Sequence, residues 1–318
     1  MPTNTYWVEK GHGGTDAGTE TNPYLTIAQA AAVVAADDQV NVSNAGGDYV
    51  ENVTITVPGT AGAPIVWVGH GGTPGDTGIA TIDPTSAGTC VTGSTESFQV
   101  WRNFKFNGAS SNGYQDTGAD TCTFYNCEFS NNGGHGLVFD NNAVIVNCSF
   151  HNNSSNGTNM DTGQQIHNCV FYANSNHGLF CDSGTAVGNL CYGLAATYSN
   201  ITFNDTAAGA NSVVNNTCDG ENGATTKGID INGTTRHMAI INNIVYDHAT
   251  GIELANDNLG QGVIGWNLLN SNTTDETNVT DSINNQTTAP AFTNEAGDDY
   301  TLGASSDAID NGLTTRGT

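Results

Sequence analysis

The chain has 318 residues, with 31 Asp and Glu against 6 Lys and Arg and a formal net charge of -25. That imbalance excludes nucleic acid and anionic membrane as partners, because both would be repelled, and it disfavours a polyanionic substrate unless a cation bridges the two. No segment has the apolar length needed to span a bilayer, and Met1-Pro2-Thr3-Asn4-Thr5-Tyr6 shows neither the basic start nor the apolar stretch of a secretion leader, so the expectation is a chain made in a cytoplasm.

The first predicted element, within residues 1–48, is an amphipathic helix over Leu25–Ala36, introduced by Thr21-Asn22-Pro23. From 49 to 288 the chain repeats itself. Asn126, Asn147, Asn168 and Asn189 are each 21 residues apart, and Cys127, Cys148 and Cys169 follow the first three. Phe129, Phe150, Phe171 and Tyr192 keep the step, as do Gly136, Gly157 and Gly178, and looser copies stand at Asn103-Phe104-Lys105-Phe106 and Asn243-Ile244-Val245-Tyr246. Such a period, with short apolar runs and no helical spacing, is that of stacked β-solenoid coils, of which roughly ten would fit. Residues 289–318 read as a strand-and-loop lid, and the early helix as its counterpart, because bare solenoid ends expose strand edges.

Alternation assigns the faces. After each glycine the first and third residues are mostly apolar, as in Leu137 and Phe139 or Ile229 and Ile231, and so point inward. The 21-residue step puts Cys127, Cys148, Cys169, Leu190 and Ile244 in one inward column and Phe129, Phe150, Phe171, Tyr192 and Tyr246 in another. The cysteines are expected as buried, reduced thiols, since none of the eight has zinc-like spacing. The many asparagines are expected to build turns and to hydrogen-bond from coil to coil.

The opening His12-Gly13-Gly14-Thr15-Asp16-Ala17-Gly18-Thr19-Glu20-Thr21-Asn22-Pro23-Tyr24, with Val40-Asn41-Val42, Tyr49-Val50-Glu51 and Ile55, resembles the start of right-handed parallel β-helix proteins of the pectin-lyase-like superfamily. The ending Asp299-Tyr300-Thr301-Leu302 and Ser306-Asp307-Ala308-Ile309-Asp310-Asn311-Gly312 is similar to the terminal motif of bacterial surface β-helix proteins of that group. The resemblance implies an all-β, right-handed, single-stranded parallel β-helix with a capping helix and a terminal cap. It says little about chemistry, because the superfamily holds lyases, hydrolases, phage tailspikes, capsid decoration proteins and inert rods.

Two groups of residues are candidates for a site. Asp140, Asp161 and Asp182 are 21 apart, with His135, Asn156 and His177 five residues before them, and would form paired carboxylates for glycoside hydrolysis or a calcium site. The plainer reading makes each Asp a turn former, as in Asp161-Thr162-Gly163. Lys227, Asp230, Arg236, His237 and Glu253 form the second group, where base, acid and cation meet in neighbouring coils, although such residues commonly form a solvated face. Gly134-His135-Gly136 resembles a polygalacturonase signature whose other motifs are absent. With so few cations, the function expected is a non-catalytic rod, a phage capsid-decoration or tail-associated protein located in the virion, trimeric through an apolar strip with Val138 and Phe180. It would bind capsid or tail proteins and surface glycans, with Trp101, Tyr114 and Phe180 as outward aromatics. The alternative is a polysaccharide lyase or glycoside hydrolase of the same superfamily, working outside the cell or at its surface.

Overall fold

The structure, a computed structural model, describes residues 1–73, 76–93, 95–195, 197–204, 211–221, 227–233, 238–255 and 262–309, without the side chains of 119 and 120. It is an all-β parallel β-solenoid of about nine turns, close to the ten expected. The chain divides into two compact units, 1–165 and 166–318.

In the first unit the coils from Ile65–His70 onward each contribute a strand to every one of three parallel sheets, and the coils before them to fewer. The first sheet runs from Thr5–Glu9 through Gln39–Ser43, Ile65–His70, Gln99–Arg102 and Thr123–Tyr125 to Val144–Val146. The second holds Ala80–Ile82, Phe104–Asn107, Glu128–Ser130 and Ser149–His151. The third holds Val53–Thr54, Val91–Gly93, Tyr114–Asp120, Leu137–Asn141 and Thr158–Met160. In-register pairing stacks like on like at the inter-strand spacing. Phe106, Phe129 and Phe150 lie ring over ring with centroids 4.8 and 4.7 Å apart, and Trp67 covers Trp101 at 4.9 Å. Trp101 and Tyr114, expected to face outward, are fully buried in this core.

The second unit repeats the plan. Its third sheet, which positions the site below, contains Leu179–Cys181, Ser199–Phe203, Lys227–Ile231, Thr250–Leu254 and Thr274–Thr277. Its second sheet contains Val170–Tyr172, Leu190–Tyr192, Thr217–Asp219, Ile244–Tyr246 and Leu268–Asn270. Here the inward columns differ from those expected. Phe171 pairs with Cys191, then come Cys218, Val245 and Leu269, all buried, while Leu190, Tyr192, Ile244 and Tyr246 face outward. The cause is one missing residue. The left-handed corner that Asn126, Asn147 and Asn168 occupy is next filled by Gly188, 20 residues on, and in a strand a shift of one exchanges the two faces.

Asn189 therefore takes the place of the cysteines. Its Oδ1 accepts the Cys169 N–H at 2.9 Å, and its own Nδ2 donates to Asn216 Oδ1 at 2.9 Å. Asn216 donates in turn to Asn243, Asn243 to Asn267 and Asn267 to Asn285. All eight cysteines are free and buried.

The helix is shorter than predicted, Ile27–Ala31, with a capping box between Thr26 and Gln29. Glu51 accepts the N–H groups of Ile27 and Ala28, and the helix packs on Thr5–Glu9 and Val53–Thr54. The terminal strands Phe292–Asn294 and Asp299–Leu302 pair antiparallel. Their described aromatic contacts are with Tyr192 and Tyr246, on the outward face of the second sheet, so the hairpin lies along the side of this unit. Asp310, Asn311 and Gly312 lie outside the described residues.

Candidate active site

The outward residues of the third sheet in the second unit form two columns. Phe180 pairs with Thr202, Thr202 with Asp230, Asp230 with Glu253 and Glu253 with Thr277. Beside them run Ser199, Lys227, Thr250 and Thr274. Ile229 and Ile231 bury themselves in the core, which turns Asp230 outward, and a Cβ on Gly228 would collide with Val245, so the chain before it turns out and carries Lys227 with it.

Lys227 Nζ lies 3.0 Å from Asp230 Oδ1 in its own strand and 3.0 Å from Glu253 Oε1 in the next. Burial alone would lower the pKa of this ammonium, but hydrogen bonds to the two carboxylates outweigh it and hold the pKa above its ordinary value. The second oxygen of Asp230 accepts from Asn232 Nδ2 at 3.2 Å and Ser199 Oγ at 3.4 Å. His177, predicted in the other group, belongs here: its Nδ1 accepts the Ser199 N–H at 3.2 Å and lies 2.9 Å from Thr202 Oγ1. Burial pushes its pKa down, partly countered by Asp230, so the imidazole stays neutral at neutral pH. Arg236 and His237 lie outside the described residues.

Of the aspartates of the first group, Asp140 lies within the strand Leu137–Asn141, Asp161 just after Thr158–Met160 and Asp182 in the bend before Gly184–Val187. In the first unit Asp161 is exposed and its N–H donates to the Phe139 carbonyl, while the Asp140 carbonyl accepts from Thr162. In the second unit Asp182 accepts from Asn204 Nδ2 at 3.5 Å. His135 Nδ1 accepts the Asn156 N–H at 3.3 Å, and burial pushes its pKa down. Among the described residues no group of three or more His, Cys, Asp or Glu is placed to hold a metal ion.

Two further acidic groups escaped the sequence reading. In the first unit Asp116 is fully buried, in register with Gly93 and Phe139, and neither of its carboxylate oxygens has a hydrogen-bond partner among the described residues. A Cβ on Gly93 would collide with it and crowd Glu96. Burial, then the charges of Glu96 and Asp140, push its pKa up to about 7. The signal was present, since Asp116 is third after Gly113, where other coils carry Phe139, Cys181, Ile231 or Leu254. In the second unit Asp219, Glu221, Glu295, Asp298 and Tyr300 line a cleft of about 520 Å³, and the Tyr300 hydroxyl donates to Asp219 at 2.8 Å. Burial and mutual repulsion raise the pKa values of Asp219, Glu221 and Glu295. This group depends on the fold of the terminal hairpin and left no sequence signal.

The family model described as a right handed beta helix region matches residues 40–191. Among solved structures, pectate lyase Pel9A is similar with a TM-score of 0.72 and 16% sequence identity, over 99% of this chain and 92% of that one. A rhamnogalacturonan lyase is similar with a TM-score of 0.53 and 15% identity, over 91% of this chain and 90% of that one. No curated protein matches the chain in sequence. The chain has the right-handed parallel β-helix fold. At these identities the likeness is one of fold.

Proposed function

We propose that the protein cleaves a polysaccharide, as a lyase or glycoside hydrolase, at the cluster of Lys227, Asp230 and Glu253. The observation that carries this reading is the ammonium held 3.0 Å from carboxylates of two successive strands on an outward sheet face. The two oxygens lie no farther apart than twice that distance, compatible with the roughly 5–5.5 Å between carboxyl groups in retaining hydrolysis. A permanently charged ammonium also serves elimination, because it stabilises the negative charge that develops beside a uronate carboxylate. Both named neighbours are lyases and neither is a virion protein, so the virion role expected from the sequence has no support from them.

Incubation with a broad polysaccharide panel, with and without calcium, tests the reading. Elimination releases ultraviolet-absorbing unsaturated ends, whereas hydrolysis releases only reducing ends. Glu253→Gln should lower the rate by roughly 10²–10⁴-fold, the size of a general acid–base contribution, at nearly unchanged melting temperature. A wild-type chain that cleaves nothing in the panel would return the protein to the class of non-catalytic rods.

A further inference from the structure

We propose that His177 and Phe180, with Tyr198 beside them, form a stacking subsite for an uncharged sugar, part of a glycan that runs across the strands toward the Lys227 cluster. The inference rests on the reading above. It starts from the column Phe180, Thr202, Asp230, Glu253 on the sheet face turned away from the core, in which Phe180 and Glu253 are partly exposed at either end and Thr202 and Asp230 are buried between them. Phe180 is only partly buried, and its in-register successors are a hydroxyl and two carboxylates, so a place in the core does not explain it. Its ring lies 5.4 Å from that of His177, whose ring stands edge-on to Tyr198 at 5.1 Å. Three inter-strand steps of about 4.8 Å separate Phe180 from Glu253, a span of roughly 14 Å suited to several sugar units in a row.

The chemistry matches both faces of a sugar. The axial C–H face of a pyranose packs on an aromatic ring, and its rim of hydroxyls asks for donors and acceptors. Because His177 Nδ1 accepts the Ser199 N–H, the neutral ring carries its proton on Nε2. The charge balance then selects against uronates and so narrows the reading above to hydrolysis. Lys227 is the only described Lys or Arg of the second unit, and it is shared by two carboxylates, so an anionic sugar would meet an excess of negative charge.

Binding is measured by calorimetry on the Glu253→Gln protein and on the native chain, with cellohexaose, xylohexaose and a galacturonate hexamer as probes and melting curves as the folding control, the comparison of neutral with uronate probes being read on the native chain. At least one neutral hexasaccharide should bind more tightly than the galacturonate. Phe180→Ala should weaken that binding about tenfold, Phe180→Leu should weaken it similarly while keeping apolar bulk, and Phe180→Tyr should restore it. Unchanged affinity in the folded Leu variant, tighter binding of the galacturonate, or no binding of either neutral probe would each overturn the subsite. Cleavage is read separately on the otherwise unaltered chain. Phe180-dependent binding without any cleavage would sink the enzymatic reading and leave the subsite standing, whereas cleavage whose KM ignores Phe180→Leu would do the reverse.

Discussion

His248 is 1% exposed, and neither ring nitrogen has a hydrogen-bond partner among the described residues. Burial pushes its pKa down to about 3, so the fold holds it neutral while the unfolded chain takes up a proton near the ordinary value of about 6.5. Its contribution to stability is therefore complete above that value and drains away as pH falls toward about 3, by at most about 5 kcal/mol. Melting temperatures between these limits should drop steeply for the native sequence and less steeply for His248→Gln; parallel curves would show that other groups set the acid limb. Asp116 works in the opposite sense. With its pKa raised to about 7 in the fold, its contribution to stability is complete below the unfolded value of about 3.9 and is lost as pH rises from there to about 7, because the unfolded chain ionises first. Legibility at this scale was uneven. Lys227, Asp230 and Glu253 could be grouped from coil spacing alone, but His177 was grouped with Asp182 because both fit the 21-residue step. Its partners are Ser199 and Thr202, which no fixed period reaches.

At the scale of the element, the strands themselves were readable because inward columns repeat, and columns survive in sequence as like residues at one step. What hid the second unit's columns was the coil from Asn168 to Gly188, one residue short, which moved Asn189 from a corner to the buried ladder. The helix was overestimated because Ala-rich periodicity continues past Ala31, whereas Asp37 adopts a left-handed φ of 71° and Asp38 accepts the Ala35 N–H, which turns the chain into the first sheet. The ladder invites a direct test. Asn216 accepts from both nitrogens of Asn189 and donates to Ala186, Val214 and Asn243. Asn216→Ala should cost roughly 2–4 kcal/mol in denaturant unfolding, since it removes these bonds and leaves the buried Asn189 N–H without its acceptor. A loss below about 0.5 kcal/mol would mean that water replaces the amide and that the ladder is ornamental.

For the whole molecule the dominant quantity is the charge of -25. The described ion pairs of Lys and Arg are local, Lys105 with Glu128 and Lys227 with Asp230 and Glu253, and they leave most carboxylates to repel one another. Raising ionic strength from about 0.01 M to about 0.15 M shortens the screening length from roughly 30 to 8 Å. The melting temperature should climb by a few degrees over that range, with sodium chloride sufficing. A flat response would mean that the carboxylates are already spaced beyond each other's reach. The resemblance to β-helix proteins was legible at both termini, and the parallel β-solenoid it implies is the fold observed.

The corners between strands differ in how freely they change length. From Thr123–Tyr125 onward two residues lead from the first sheet to the second, whether Tyr125 to Glu128, Val214 to Thr217 or Gly265 to Leu268, while the earlier coils leave nine, His70 to Ala80, or one, Arg102 to Phe104. From the third sheet back to the first the gap ranges from two residues, Cys181 to Gly184, through eight, Leu254 to Val263, to ten, Thr54 to Ile65. From Thr123 onward the variation in length thus falls on the connections that flank the third sheet, the sheet carrying Lys227, Asp230 and Glu253. Selection, or an engineer, can rewrite what reaches this face by lengthening one connection at a time while the stacked interior stays as it was.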